Sequence, residues 1–198
     1  MKKQHNFMTY KNSISSVLEK VSEKDLNNSM QLIKNTIKKN GKVYLVGNGG
    51  SASIASHVSV DFAKIARIPS ATFNNSNLIT CFANDYGHDN WVVEALKAYT
   101  SNKDLIILIS SSGTSKNIVN AAKYCKKNSF KLITFSGFKK NNPLSKLGDI
   151  NFHIKSNQYN FIEMSHHILL VYLVDVFAKN KGAPFHKTFI SPFCILSI

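Results

Sequence analysis

The chain has 198 residues, of which 43% are hydrophobic, and its formal net charge is +14. This length is enough to bury a full core in one domain, and this composition excludes a chain that is disordered throughout. No apolar stretch near the N-terminus resembles a signal peptide, and the longest apolar run, residues 168–174, is too short to cross a bilayer. We therefore expect a cytoplasmic protein with no membrane partner.

The positive charge comes almost entirely from lysine, since Arg67 is the single arginine among 25 basic residues. Arginine is the usual residue for bidentate contacts to bases and phosphates. The densest basic stretch, residues 116–146, holds eight lysines and no acidic residue. We interpret it as a solvated surface that attracts anionic metabolites, and we disfavour nucleic acid as a partner.

The three cysteines are Cys81, Cys125 and Cys194, an odd and widely spaced set without the paired spacing of a metal site. We expect free, buried thiols in a reducing compartment.

Residues 1–40 are predicted to form an N-terminal helical pair, because apolar residues recur there at spacings of three and four. Ser22 with Asp25 is a candidate cap for the second helix, and Asn40-Gly41 is a stop signal. Such a pair packs either on a partner subunit or on its own core.

Residues 41–180 alternate between short β-rich runs and helical stretches, which predicts an α/β core with a parallel sheet covered on both faces. The strand candidates are residues 43–46, 105–109, 132–135 and 150–154, with 71–73 as a weaker one. One helix is predicted from Ser53 to about Ile65, and another follows residues 110–115 and extends through Lys127. Residues 161–178 are apolar on nearly every side, which indicates a buried closing helix. No linker divides the chain, so residues 1–198 are predicted to form one domain.

The apolar tail, residues 181–198, shows no clear periodicity, and no secondary structure or role is assigned to it.

Two loops carry the chemistry that the sequence predicts. Residues 47–53, Gly-Asn-Gly-Gly-Ser-Ala-Ser, follow a strand and open a helix, and residues 110–115, Ser-Ser-Ser-Gly-Thr-Ser, occupy the same place after another strand. Glycines let a backbone approach a ligand closely, and the N–H groups of a helix start attract an anion. The loops match neither a P-loop nor the dinucleotide fingerprint. Because loops at the carboxyl ends of parallel strands converge on one crevice, we expect a phosphate monoester site rather than plain turns.

These two loops, with His57 and the Ala-Asn-Asp-Tyr-Gly sequence of residues 83–87 between them, resemble the sugar isomerase (SIS) domain, specifically its phosphoheptose isomerase branch. The resemblance implies a three-layer, flavodoxin-like doubly wound parallel sheet of about five strands. It also implies a homotetramer with sites between subunits, and conversion of sedoheptulose 7-phosphate to a heptose phosphate for surface polysaccharide synthesis.

The resemblance assigns substrate contacts residue by residue. The implied positions are Asn48, Gly49, Gly50, Asn84, Asp85, Ser110, Ser111, Ser112 and Ser115, and Ser51 adds a hydroxyl donor in the first loop. Asn84 and Asp85 also admit interpretation as a plain turn before Gly87.

The family carries a metal, usually zinc, and this chain departs from the family at the ligand positions. His57 matches a ligand, whereas Asp61 stands where the family has glutamate, Glu163 where it has glutamine, and Val171 where it has a histidine that is both ligand and acid–base catalyst. His166 and His167 follow Glu163 at helical spacing, so either is placed to compensate. The candidate zinc ligands are therefore His57, Asp61, Glu163 and His167.

Aldose–ketose exchange moves a proton between neighbouring carbons, so a base must reach both, and a metal or buried donor must stabilise the developing oxyanion. Asp61 or Glu163 is the candidate base, with His167 or His57 handling oxygen protons. The alternatives are a purely structural histidine pair in the closing helix and an Asp61 that only pairs with Lys64.

Three functions follow from these observations. A phosphosugar isomerase ranks first, because both phosphate loops are intact and a carboxylate stands at position 61. A non-catalytic SIS module that senses a sugar phosphate or bridges protein partners ranks second, with Val171 as its support. A protein that contacts DNA ranks third, supported only by the charge.

Overall fold

A computed structural model of the chain describes residues 6–179, so the unassigned tail lies outside the described residues. Two helices, α1 (Phe7–Leu18) and α2 (Glu23–Lys38), precede the core, as predicted. The hydroxyl of Ser22 accepts a hydrogen bond from the N–H of Asp25 at 3.2 Å, which confirms the predicted cap. The backbone of Asn40 then turns to a φ of +55°, ending the helical path.

The core is one sheet of five parallel strands in the order β2-β1-β3-β4-β5. The strands are β1 (Val43–Gly47), β2 (Ser70–Thr72), β3 (Leu105–Ile109), β4 (Lys131–Gly137) and β5 (Ile150–Ile154). The central strands β1 and β3 are buried along their whole length, as expected for a parallel sheet covered on both faces. The predicted fold class is confirmed.

Five further helices cover the sheet: α3 (Gly50–Lys64), α4 (Ser76–Tyr86), α5 (Trp91–Tyr99), α6 (Lys116–Lys127) and α7 (Tyr159–Lys179). A short 3-10 helix, Leu144–Lys146, lies between β4 and β5. The sequence did not predict α4 and α5. Helix α4 buries no residue completely, although Leu78, Ile79 and Phe82 pack against the apolar core.

The sheet separates two apolar layers. On β1, Val43 and Leu45 face a core shared with α2, α3 and α7, whereas Tyr44 and Val46 face a core shared with α5 and α6. This alternation is the period of two that a strand imposes on its side chains. The arrangement is therefore a three-layer sandwich, and it places the starts of α3 and α6 directly after β1 and β3.

Helix α7 is less buried than its sequence predicts. Met164, Ile168 and Tyr172 are 42%, 47% and 41% exposed, and we call these three residues the α7 stripe. By length and composition alone, α7 is the one helix among residues 6–179 that could cross a membrane. Its opposite side packs against α3 and the sheet, which is the behaviour of a core helix.

The cysteine prediction holds for Cys125 and is wrong for Cys81. Cys125 is buried in α6, and burial raises the pKa of its thiol to about 12. Cys81 is exposed, because α4 lies at the surface without a completely buried residue. Cys194 falls outside the described residues.

Candidate functional site

A cavity of about 270 Å³ lies at the carboxyl ends of β1 and β3, where the two predicted loops meet the start of α7. Its lining residues are Asn48, Gly49, Gly50, Ser51, Ser110, Ser111, Ser112, Ser115, Tyr159 and Glu163. The structure thus brings together all the predicted phosphate-binding positions except Asn84 and Asp85. Tyr159 is an addition that the sequence did not indicate.

The first loop presents the start of a helix to the cavity. Gly49 adopts φ +53° and ψ −122°, a conformation that favours glycine, and α3 begins at the next residue, Gly50. The first N–H groups of a helix have no partner within the helix, and the helix dipole adds partial positive charge there. This end of the cavity is therefore suited to an anion such as a phosphate.

The second loop is held in shape by its own hydrogen bonds. The N–H of Gly113 donates to the carbonyl of Ser110 at 2.9 Å, and the hydroxyls of Ser110 and Ser115 lie 3.2 Å apart. Buried Asn142 lies against Gly113 of this loop, and its amide is itself held by donating to Ser136 Oγ and to the carbonyl of Lys139 at 3.1 and 2.9 Å. A Cβ on Gly113 would overlap the amide of Asn142, so only glycine fits there. The sequence indicated Asn142 only as part of a loop.

The first loop is fixed by side-chain amides that the sequence analysis missed. Asn74 donates to the carbonyl of Gly47 at 2.7 Å and accepts from its N–H at 3.1 Å. Asn48 and Asn117 exchange two hydrogen bonds of 2.9 Å each. Because Asn74 and Asn117 are distant in sequence from the loop, no local pattern marks them.

Asn84 and Asp85 lie in the last turn of α4, where both are exposed and where Asn84 Nδ2 donates to Asp85 Oδ1 at 2.9 Å. They are not among the residues that line the cavity. The turn interpretation is wrong, since both residues are helical. Their contact with substrate stays a prediction.

Glu163 is the carboxylate that lines the cavity, and it projects from the first turns of α7. Its carboxylate lies against Gly50, where a Cβ would overlap it. Its Oε1 also accepts a hydrogen bond of 3.4 Å from the hydroxyl of Ser111. One of the two predicted candidate bases therefore faces the same space as both phosphate loops.

A chain of three side chains, Asp61–His57–His167, joins α3 to α7. His57 Nε2 lies 3.1 Å from Asp61 Oδ2, and His57 Nδ1 lies 2.8 Å from His167 Nε2. Burial lowers the pKa of His167, and the neighbouring His57 lowers it further. His167 follows Glu163 by one helical turn, but none of these three side chains is among the residues that line the cavity.

This arrangement does not form the expected zinc site. Two nitrogens bound to one tetrahedral zinc lie about 3.3 Å apart, because each Zn–N bond is about 2.05 Å. His57 and His167 instead make direct nitrogen contact at 2.8 Å, and Asp61 engages the opposite ring nitrogen of His57. Glu163 faces Ser111. Among residues 6–179, no three histidine, cysteine, aspartate or glutamate side chains form a group able to hold a metal ion.

His166 points away from the site. It is completely buried, its Nε2 lies 3.1 Å from the carbonyl oxygen of Ser136, and its ring meets Phe135 edge-on at 5.5 Å. Of the two histidines in α7, His167 is therefore the one that contacts His57. The structural interpretation of a buried histidine applies to His166.

Buried His166 should make the protein acid-sensitive. Burial lowers the pKa of His166 from 6.5 to about 4, so between these values the unfolded chain binds a proton that the folded chain does not. The free energy of unfolding should consequently fall by up to about 3 kcal/mol as pH drops from 6.5 to 4. Urea unfolding at several pH values measures this slope.

The H166Q variant should be less stable than the native protein at pH 7 but should show a shallower loss of stability with acid. H88Q, which removes an exposed histidine, should retain the contribution of His166 to the slope. An unchanged slope in H166Q would mean that His166 is not the group responsible.

The family model of the SIS domain matches residues 9–137. The phosphoheptose isomerase of Aliarcobacter butzleri is 32% identical over 166 residues, which cover 81% of this chain and 87% of that protein. The phosphoheptose isomerase of Thermodesulfovibrio yellowstonii is 31% identical over 163 residues, covering 77% and 81%. The structure of a phosphoheptose isomerase from Neisseria gonorrhoeae superimposes with a TM-score of 0.79 at 21% identity, covering 87% of this chain and 95% of that one.

Proposed function

This chain belongs to the phosphoheptose isomerase branch of the SIS-domain family, and we propose that it is a phosphosugar isomerase that converts sedoheptulose 7-phosphate to a heptose 7-phosphate. The observation that carries the proposal is the single cavity in which two phosphate loops and the carboxylate of Glu163 meet. From the family resemblance we further propose that the enzyme acts in the cytoplasm and that its product is used for surface polysaccharide synthesis.

The phosphate binds between the two loops in this proposal. The N-terminus of α3 supplies backbone N–H groups, and Ser112 and Ser115 supply hydroxyl donors. The loops hold the phosphate end, so the carbonyl end of the sugar extends towards Glu163 on α7. A bound phosphate fixes the position of the reacting carbons, which lowers the entropic part of the barrier.

Glu163 is the proposed base. Isomerisation removes a proton from the carbon next to the carbonyl and returns it to the neighbouring carbon through an enediol, so one carboxylate that reaches both carbons suffices. Ser111 Oγ donates to Glu163 Oε1, which orients the carboxylate towards the cavity. Asp61 is the weaker candidate, because its carboxylate is already engaged by His57.

The proton transfers between the two sugar oxygens fall to His167 and His57. With Nε2 of His167 bonded to His57, the other ring nitrogen of a neutral His167 can take the proton from one sugar oxygen and return it to the other. The lowered pKa of His167 keeps it neutral and able to accept a proton near neutral pH. Asp61 sets the orientation of His57 through the 3.1 Å contact.

The resemblance also implies a bound zinc ion. The steps above do not depend on zinc, because the side chains that were predicted as its ligands do not converge on one point. We expect the purified protein to contain less than stoichiometric zinc and to keep its thermal unfolding midpoint and isomerase rate after treatment with EDTA. Elemental analysis and differential scanning calorimetry measure this. Stoichiometric zinc that disappears in H57A would show that the helices rearrange around a metal.

We also propose a homo-oligomer, a tetramer by the resemblance, with sites between subunits. The α7 stripe is an exposed row of large apolar side chains at spacings of four, and it lies on the same helix as Glu163. Asn84 and Asp85 are exposed on α4 and do not line the cavity formed by the two phosphate loops, so a neighbouring copy is where they would meet substrate.

The I168E variant should weaken this association. A charge in the centre of the α7 stripe would be desolvated on assembly, so the oligomer should dissociate at micromolar protein. Light scattering coupled to size exclusion reports the mass. V60E is the control, because it places the same charge at an exposed apolar position on α3, outside the α7 stripe. A native protein that is already monomeric would contradict the proposal.

An isomerase assay with sedoheptulose 7-phosphate tests the function directly. Turnover by the native protein supports the proposal. Protein that binds the sugar phosphate without turning it over would instead favour the non-catalytic sensor or bridging module. The non-catalytic function is supported by Val171, which packs against the apolar core at the position where the family has a catalytic histidine.

A further inference from the structure

The two phosphate loops are joined by a reciprocal amide pair. Asn48, at the end of β1, and Asn117, in the first turn of α6, each donate a side-chain N–H to the oxygen of the other at 2.9 Å. Asn117 is 1% exposed. Within residues 6–179, these two hydrogen bonds are the direct side-chain bonds that the structure shows between the first loop and α6, the helix that follows the second loop.

A cyclic amide pair fixes more than a single hydrogen bond does. Two parallel bonds hold both amide groups close to one plane, so neither loop can slide or rotate relative to the other without breaking both. A buried amide that loses its partner also carries an uncompensated desolvation cost. The pair therefore stabilises one particular spacing between the loops.

We propose that Asn117 is a positioning residue for substrate binding, and that the Asn48 side chain acts through Asn117 rather than by direct contact with the sugar phosphate. This inference rests on the proposed function, since it concerns the phosphate site. It replaces the assignment of Asn48 as a substrate contact, which the resemblance implied, with a role in holding the loops at the spacing that a phosphate requires.

A double-mutant cycle separates the two roles. The variants are N48A, N117A and N48A/N117A, and the probe is sedoheptitol 7-phosphate, the reduced alcohol of the proposed substrate, which cannot be isomerised. Calorimetry gives Kd for each protein. If the amides act as one unit, each single substitution weakens binding by about tenfold and the double substitution by about the same factor, because groups in contact are not additive.

Steady-state kinetics provide a second readout. Because the pair sets the spacing of the loops that bind the phosphate, N117A should raise KM for sedoheptulose 7-phosphate by about tenfold with little change in kcat. N120A is the matched control: Asn120 is one turn further along α6, and its amide donates to the carbonyl of Asp89 at 3.0 Å, away from the cavity. It should bind the probe as the native protein does.

Effects of N48A and N117A that multiply in the double variant would overturn the proposal, because they would show Asn48 contacting the ligand independently. Failure of the proposed function has a different signature, in which the native protein itself does not bind the probe. In that case the same cycle measured by urea unfolding still tests the pair: non-additive losses of stability support it, and additive ones overturn it.

Discussion

The E163Q variant is expected to lose about 10²- to 10⁴-fold in isomerase kcat while binding sedoheptitol 7-phosphate within about twofold of the native protein. Glutamine has nearly the same shape as glutamate, and its carbonyl oxygen can still accept the bond from Ser111 that Glu163 Oε1 accepts at 3.4 Å. Only the basic oxygen is lost. The variant therefore separates proton transfer from phosphate binding.

Two measurements check this expectation. The first is kcat with sedoheptulose 7-phosphate, and the second is exchange of the substrate's carbon-bound hydrogen with deuterated water, which reports proton abstraction alone. E94Q is the matched control, since Glu94 lies on α5 and pairs with Lys97 at 2.8 Å. An E163Q enzyme that keeps more than about a tenth of the native kcat would transfer the role of base to Asp61, and D61N would then be the variant to examine.

The sequence predicts the sheet and the phosphate site well because both depend on local patterns. The runs 43–46 and 105–109 are continuous and apolar, and strands buried on both faces produce that pattern. Each run is followed by small and hydroxyl-bearing residues, so the topology of parallel strands alone brings the two loops to one edge. The part of the cavity lining that the two loops contribute follows from these facts, whereas Tyr159 and Glu163 are brought to the cavity by α7.

Contacts between distant residues escape this reasoning. Where helices and loops meet after folding decides two of these contacts. They are the hydrogen-bonded pair of Asn48 with Asn117 and the close approach of Asn142 to Gly113. Isolated asparagines are common in this chain, and nothing in their neighbours distinguishes a buried amide from an exposed one. The sequence also did not predict α4 over the Asn84-Asp85 segment, and the apolar residues of this helix, Leu78, Ile79 and Phe82, are only partly buried.

The departures from the family pattern are visible in the sequence, but their consequence is not. His166 and His167 are adjacent, and spacing alone places either one near Glu163. The structure distinguishes them, because the packing of α7 turns His166 towards Ser136 and His167 towards His57. The sequence also did not predict that Asp61 and His167 occupy opposite nitrogens of His57, which is the geometry that argues against the expected zinc site.

The G50A variant is expected to lower kcat by about 10²-fold without loss of stability, because displacing a catalytic group by about 1 Å costs about that factor. A Cβ at position 50 would lie 2.7 Å from the carboxyl carbon of Glu163. The end of a flexible side chain can move aside, so the fold tolerates the change while the carboxylate shifts. Alanine also favours a helix over glycine by up to about 1 kcal/mol, and residue 50 is the first of α3.

Urea unfolding and steady-state kinetics on the same preparation test the two halves of this expectation. G49A gives the contrasting stability result: no heavy atom lies within 4 Å of its added Cβ, but Gly49 has φ +53°, so alanine there is strained and should destabilise the protein by about 1 kcal/mol. A G50A protein that is as stable as the native one and fully active would show that the contact between Glu163 and the start of α3 is dispensable. A stable and slow G50A protein would place the reacting carbons of the sugar beside that contact, between the phosphate loops and α7.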